Sequence, residues 1–500
     1  MSRAGRRSLL AGAAAYNGGA GIPPRGIQLG FRSPSVCSTY GAALGVGEIS
    51  LPQKLSGARR RPRSDGTLAS TSVALGSFKS SVLGRRSLLA GAGCVLLAGA
   101  GGWHLSAKVV EGAVPLATFP EGGDLVGELR ESVSAVAHTW MRAYPATELA
   151  WSWGEGVLAF GLEQAYQATG DPALRDYLRA YLRAHSARGV EVTWSDRATP
   201  GLVAIERCLD GDVEFAPLAA QAVRYIMSGP RSASGMLLHL GHAYPKLVRA
   251  VFPEVWVDSL FHVVPTLMRY SRWTSEPRYR DEGARQLVLF LRALTDPRSG
   301  LVAHAFNDAP RAEPVPPFES GAFWARGNGW ALATLVDALG WLPAQHSSRA
   351  ELIEMTRRLA ARLCALQAES GLFHTLLLEP ESYRETAGSG LILFGVARGL
   401  RLRLLPLTAR AVLERGGKGL WSIVRRSGSE AVVTGTSLGT NPIESLYRRI
   451  PTSDQISYGV GAWLLAATEL TNVLAGSHAA IGEREVEPGG RVPPCTARTG

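Results

Sequence analysis

The chain has 500 residues, of which 46% are hydrophobic and 19% charged. This composition supplies a large core and excludes wholesale disorder, a collagen-like repeat and a disulfide mini-protein. The net charge of +11 points to a polyanion binder only until it is located. Residues 1–86 hold 13 Lys and Arg against two acids, Glu48 and Asp65, and the rest of the chain carries 40 basic and 40 acidic residues. The folded part is formally neutral, so bulk charge gives no case for a nucleic-acid partner.

Residues 1–83 are rich in Ser, Arg, Gly and Ala and read as a transit-like or disordered extension. Gly84-Arg85-Arg86-Ser87-Leu88-Leu89 then opens an apolar run. Residues 84–105 therefore read as a twin-arginine-like export signal or a membrane anchor. Export to a periplasmic or extracellular site is the first reading. A plastid or thylakoid address and a retained anchor are the alternatives, and membrane contact is expected only through this leader if it is uncleaved.

From Asp124 to Leu474 the chain reads as helices. Twelve are predicted, at 124–143, 155–168, 172–186, 200–209, 214–228, 256–272, 277–294, 328–341, 348–368, 385–403, 407–425 and 455–473. Val257, Leu260, Phe261, Val264, Leu267 and Met268 illustrate the i, i+3, i+4, i+7 spacing behind them. Turns repeat as well. Thr169-Gly-Asp-Pro172 echoes Thr274-Ser-Glu-Pro277, and Ser299-Gly300-Leu301 echoes Ser370-Gly371-Leu372. Proline after an acidic residue is a helix-start signal. The unit is a helical hairpin, and six hairpins favour an all-α (α/α)6 barrel over residues 120–476. Residues 477–500 are rich in Gly and Pro and read as a disordered tail. The five cysteines form no CxxC pattern. Cys208 and Cys364, the two inside the barrel span, are expected as free thiols rather than a bridge or a zinc site.

Several segments carry chemistry-bearing residues. Asp258 opens a helix in Trp256-Val-Asp258-Ser-Leu-Phe-His262, where an N-cap and a catalytic carboxylate are both open readings. His262 lies one turn on, on the same face. Asp196 precedes Pro200-Gly201 in a loop where turn chemistry is the alternative. His304 follows a Gly-Leu turn. Phe323-Trp324-Ala-Arg326-Gly-Asn-Gly-Trp330 combines aromatic rings with glycines that permit close backbone approach.

In order, WSWGEG, SDRATPG, WVDSLF, SGLVAHAFND, FWARGNGW, SGLFH, ETAGSG and DQISYGVGAWLLA resemble the unsaturated glycuronyl hydrolases of glycoside hydrolase families 88 and 105, and family 105 more closely. The resemblance spans about residues 125–475 and implies an (α/α)6 barrel. It also implies a hydrolase that removes a Δ4,5-unsaturated uronic acid from the non-reducing end of lyase-generated oligosaccharides, with no metal or organic cofactor. Its chemistry is hydration of a vinyl ether, for which Asp258 is implied as the acid/base and Asp196 as the second catalytic Asp. His304, Trp256, Arg326 and Trp330 are implied as substrate-binding. His262 is expected either to face the pocket as a further substrate-binding residue, protonating near pH 6–7, or to turn into the helix packing on a backbone carbonyl. Burial of Asp258 against Trp256 and Phe261 is expected to raise its pKa. The sequence departs from the family pattern at Ser195, at Ser259 and at His262, where an apolar Met is usual. Another (α/α)6 sugar enzyme, such as an epimerase, and a non-catalytic carbohydrate-binding relative are the alternatives.

Overall fold

A computed structural model describes residues 117–241, 253–308 and 323–476. The predicted leader and tail lie outside these residues. Twelve α-helices occur among the described residues: α1 (Leu125–Ala143), α2 (Trp153–Thr169), α3 (Pro172–Arg188), α4 (Pro200–Leu209), α5 (Ala216–Ser228), α6 (Asp258–Thr274), α7 (Pro277–Leu294), α8 (Ala325–Trp341), α9 (Arg349–Cys364), α10 (Thr386–Arg401), α11 (Arg410–Ser422) and α12 (Ser457–Leu474). The even-numbered helices form a closed ring. α2 packs on α4, α4 on α6, α6 on α8, α8 on α10, α10 on α12, and α12 returns to α2. The odd-numbered helices lie outside: α3 on α2, α5 on α4, α7 on α6, α9 on α8, and α1 and α11 against α12. This is the predicted (α/α)6 barrel.

The two layers differ in sequence because they differ in surroundings. α8 is buried continuously from Ala325 to Leu339, and α10 from Thr386 to Leu400. A helix that is apolar on all sides belongs between other helices. The outer α7 buries one stripe, including Tyr279, Leu287, Leu291 and Leu294, and turns its arginines and acids outward. Burying each such leucine contributes roughly 1.5–3 kcal/mol. Where α2 crosses α12, Gly161 and Gly461 face each other. A Cβ at Gly461 would lie 2.5 Å from the Val157 carbonyl oxygen, so only glycine lets the two backbones meet.

The repeated turns fold alike. Pro172 and Pro277 start α3 and α7, and the residues ending α2 and α6, Gly170 and Ser275, adopt φ 71° and 58°. Most helix ends fall where predicted. α11 stops at Ser422 rather than 425, because Val424–Ser427 and Glu430–Val433 form an antiparallel hairpin across Gly428. Arg425, Arg426 and Ser427 are exposed and offer no apolar face to continue the helix. α9 likewise ends at Cys364. Cys208 and Cys364 are free thiols.

Two to three turns into the inner helices, each carries one buried ionisable residue: Glu163, Glu206, Arg269, Asp337, Arg398 and Glu469. They pair across helix boundaries. Arg269 joins Glu206 at 2.5 Å and Asp337 at 2.6 Å, and Arg398 reaches Asp337 at 2.7 Å and Glu469 at 3.3 Å. Arg207 closes on Glu163 at 2.7 Å, and Arg401 on Glu469 at 2.5 Å. Here this layer is called the barrel floor.

Candidate active site

All six inner helices begin at the opposite end of the barrel from this floor. Five of them, α2, α4, α6, α8 and α12, start without a side-chain hydrogen bond at the cap. Converging helix starts give that end a positive local potential that suits an anion.

Asp258 is the first residue of α6, and its side chain is 15% exposed. Two two-residue strands bring His304 over it. Val255 pairs with Phe306, Trp256 pairs with Ala305, and the Val257 N–H donates to the His304 carbonyl at 2.8 Å. His304 Nε2 then lies 3.2 Å from Asp258 Oδ2. Behind it, the imidazole stacks on Trp324 at 4.3 Å between ring centres and receives the edge of Trp256 at 5.5 Å.

Asp196 sits in the 3-10 turn Ser195–Ala198 that leads into α4, with its side chain 20% exposed. Two imidazoles bracket Oδ1, His239 Nε2 and His262 Nε2, each at 3.5 Å. Hydroxyls hold the far nitrogens of both rings. Thr199 Oγ1 lies 2.8 Å from His262 Nδ1, and the Ser195 and Ser259 hydroxyls lie 2.9 and 3.0 Å from His239 Nδ1. The three departures from the family pattern, Ser195, Ser259 and His262, therefore meet around Asp196 and His239.

The two carboxyls are driven apart. Burial and the neighbouring Asp258 charge push Asp196 up to about 8, so it holds a proton at neutral pH. Burial also acts to raise Asp258, as the sequence suggested. His304, His239 and His262 outweigh it and bring Asp258 down to about 2. The expectation of a raised Asp258 is thus corrected: the proton of the free site rests on Asp196. Desolvation lowers His239 to about 3 and His262 to about 4, so both rings are neutral at pH 7. His262 neither turns to a backbone carbonyl nor carries a charge near pH 6–7. It packs against Asp196, with 2% of its side chain exposed.

Other expected substrate contacts are placed differently. Arg326 is buried and spent on the loop after the β5 strand (Thr436–Ser437). Its Nη1 donates to the Ser437 carbonyl and hydroxyl at 3.2 and 2.9 Å, and its Nη2 to Leu438 O and Thr440 Oγ1 at 3.1 and 2.9 Å. Trp330 is buried behind Phe261 at 4.7 Å and His262 at 5.9 Å. Trp256 stacks on His239 at 4.2 Å and 11° rather than presenting an open face. These three residues brace the wall instead of lining it. Trp153, at the start of α2, is the half-buried ring beside the cluster, stacked on Tyr458 at 4.3 Å and 6.3 Å from His262. Sequence reasoning missed His239, which no motif flanks, and left Trp153 unassigned inside WSWGEG. Among the described residues no group of His, Cys, Asp and Glu is arranged to hold a metal ion.

Comparison with known proteins agrees with this architecture. The Unsaturated rhamnogalacturonyl hydrolase YesR of Bacillus subtilis is 27% identical over 350 residues, covering 69% of this chain and 95% of the relative. The Unsaturated 3S-rhamnoglycuronyl hydrolase of Formosa agariphila is 26% identical, covering 72% of this chain and 95% of the relative. A crystal structure from Klebsiella pneumoniae, described as a possible member of the GH105 family, superposes with a TM-score of 0.62 at 25% identity, over 73% of this chain and 99% of that one. The family model described as Glycosyl Hydrolase Family 88 matches residues 132–474. The chain belongs to Glycosyl Hydrolase Family 88 and is a glycoside hydrolase.

Proposed function

We propose that the enzyme removes a Δ4,5-unsaturated uronic acid from the non-reducing end of oligosaccharides made by polysaccharide lyases. The observation that carries this reading is the carboxyl pair, one member protonated and one ionised, facing the starts of six helices. Hydration of a C4=C5 vinyl ether needs an acid for C4, a base for water and an anion site for the C5 carboxylate. Asp258 supplies the first two in turn, as acid to C4 and then as base to water, and the helix starts favour the third.

The uronate brings a negative charge that raises both carboxyls and draws a proton onto Asp258. That proton forms the C4–H bond as the C4=C5 pair moves to C4. Water adds its oxygen to C5 and gives up a proton to the carboxylate, which restores the acid. The hemiketal at C5 opens to a ketone by breaking its C5–O bond, and the hemiacetal left at C1 expels the neighbouring sugar. Asp196 holds its proton toward this exchange, and Trp153 offers a face for the sugar ring. No metal or organic cofactor enters these steps.

The names of the relatives suggest two substrate classes, rhamnogalacturonyl and 3S-rhamnoglycuronyl. Incubation with lyase products of pectin, ulvan and glycosaminoglycans, following the near-ultraviolet absorbance of C4=C5, tests the reading and ranks the substrates. Loss of absorbance with release of the shortened sugar supports it. An unchanged chromophore across the panel contradicts it and favours a binding protein or an epimerase.

Export through the twin-arginine-like leader is proposed on sequence alone, and it places the enzyme where extracellular lyases release their products.

A further inference from the structure

His304 meets Asp258 through Nε2, and what holds its other nitrogen comes from 143 residues further along the chain. The Tyr447 hydroxyl lies 2.7 Å from His304 Nδ1. Tyr447 is buried in the short 3-10 helix Glu444–Arg449. That helix belongs to a loop closed at its base by antiparallel pairing of β5 with the β6 strand (Thr452–Ser453). The base is anchored from three inner helices. Arg326 of α8 donates to Ser437, Leu438 and Thr440, the Tyr458 hydroxyl of α12 donates to Ser437 O at 2.7 Å, and Glu385 before α10 accepts from Ser437 N at 3.1 Å. A buried arginine thus holds this loop, together with a buried glutamate that also caps α10.

For a neutral His304 ring the contact has one assignment. An ionised carboxylate only accepts hydrogen bonds, so the nitrogen facing Asp258 must carry a hydrogen. A neutral imidazole has one N–H, which leaves Nδ1 as an acceptor. Trp324 and Trp256 fix the plane of the ring but give Nδ1 no hydrogen. A donor at Nδ1 adds to Asp258 in selecting this tautomer, and it opposes a flip of the ring.

We propose that Tyr447 is a positioning residue: its hydroxyl donates to His304 Nδ1 and so keeps the Nε2–H on Asp258. The inference rests on the reading of Asp258 as the acid/base. Neither Tyr447 nor its loop is part of the motifs that identified the site.

The test uses the whole protein and Tyr447→Phe, which removes the hydroxyl and keeps the ring. The expected result is a fall in kcat of roughly 10- to 100-fold with KM unchanged, the size typical of losing a partner that orients a ligating or catalytic histidine. The decisive readout is nitrogen NMR of the His304 ring, assigned with His304→Gln. Wild type should show a protonated Nε2 and a bare Nδ1, and Tyr447→Phe a mixture of tautomers. A proton on Nδ1 in the neutral wild-type ring overturns the proposal without any variant. So does a Tyr447→Phe ring with the wild-type tautomer, whatever kcat does, or a kcat unchanged when the tautomer is lost. If wild type consumes no unsaturated uronide, the functional reading fails, and the tautomer measurement still decides whether Tyr447 sets the ring.

Discussion

The two ends of the barrel both bury charge, and they do so in opposite ways. At the floor, the four inner-helix acids meet guanidinium groups at hydrogen-bonding distance, and Arg269 and Arg398 lower the Asp337 carboxyl against the effect of burial. A guanidinium does not give up its proton, so such pairs stay charged and rigid. At the mouth, Asp196 and Asp258 meet imidazoles at 3.2–3.5 Å. An imidazole is a titratable partner, and the two carboxyls separate to about 8 and about 2. Glu163 is the exception at the floor. Burial and Glu206 lift it to about 7 against the pull of Arg207. Buried charge is structural where its partner cannot lose a proton, and chemical where its partner can.

The largest effect expected at the mouth is that of Asp258→Asn. Turnover should fall by ~10²–10⁴ while the protein melts as cooperatively as wild type. Wild-type turnover in this variant would remove Asp258 from the chemistry and end the contrast.

The converse change at the floor is Asp337→Asn, which leaves Arg269 and Arg398 facing each other without their shared carboxylate. Breaking a buried pair in this way costs about 3–5 kcal/mol. Denaturant unfolding should report that loss, while kcat of the folded fraction stays at the wild-type value. A lowered kcat with unchanged stability would mean that the floor takes part in the reaction.

The pH profile sharpens the comparison further. Asp196 is protonated below about pH 8 and loses its proton above it, so kcat/KM should decline as pH rises through that value. His262 is neutral above about pH 4. His262→Met should therefore leave the profile superimposable between pH 5 and pH 9, with only the acid side altered, where His262 charge helps to keep Asp258 ionised. A shift of the limb near pH 6–7 in His262→Met would show that the ring carries charge at neutral pH and that its burial has been misjudged.

The helical frame was legible because its punctuation is local. Proline starts α3, α4 and α7, Gly170 ends α2, and the apolar stripes of the outer helices follow the 3.6-residue period. The first residues of the hairpin formed by Val424–Ser427 and Glu430–Val433 read as the end of α11, because its strands are only four residues long and no alternation develops. Asp258, Asp196 and His304 were found through motif wording, and the structure brings all three to one end of the barrel. Arg326 and Trp330 sit in an equally distinctive motif, yet they serve the wall, because a motif records that residues are fixed and not which way they face. His239 and Tyr447 reach the cluster only through tertiary contacts, Tyr447 from 143 residues beyond His304, and no local pattern signals that. The floor was visible in part. Glu469 is the one charge in apolar α12, and Glu163 and Asp337 each share a largely apolar helix with one other charge, which is the informative kind of exception.

The claim that one proton is stored on Asp196 beside an ionised Asp258 is tested most directly by infrared difference spectroscopy of wild type against Asp196→Asn at neutral pH. Glu163 is present in both proteins and cancels from the difference. The account predicts a protonated-carboxyl C=O band in wild type that is missing from Asp196→Asn, retained in Asp258→Asn, and titrates away near pH 8. A carboxylate band in its place, or a protonated band that disappears with Asp258 instead, would contradict it.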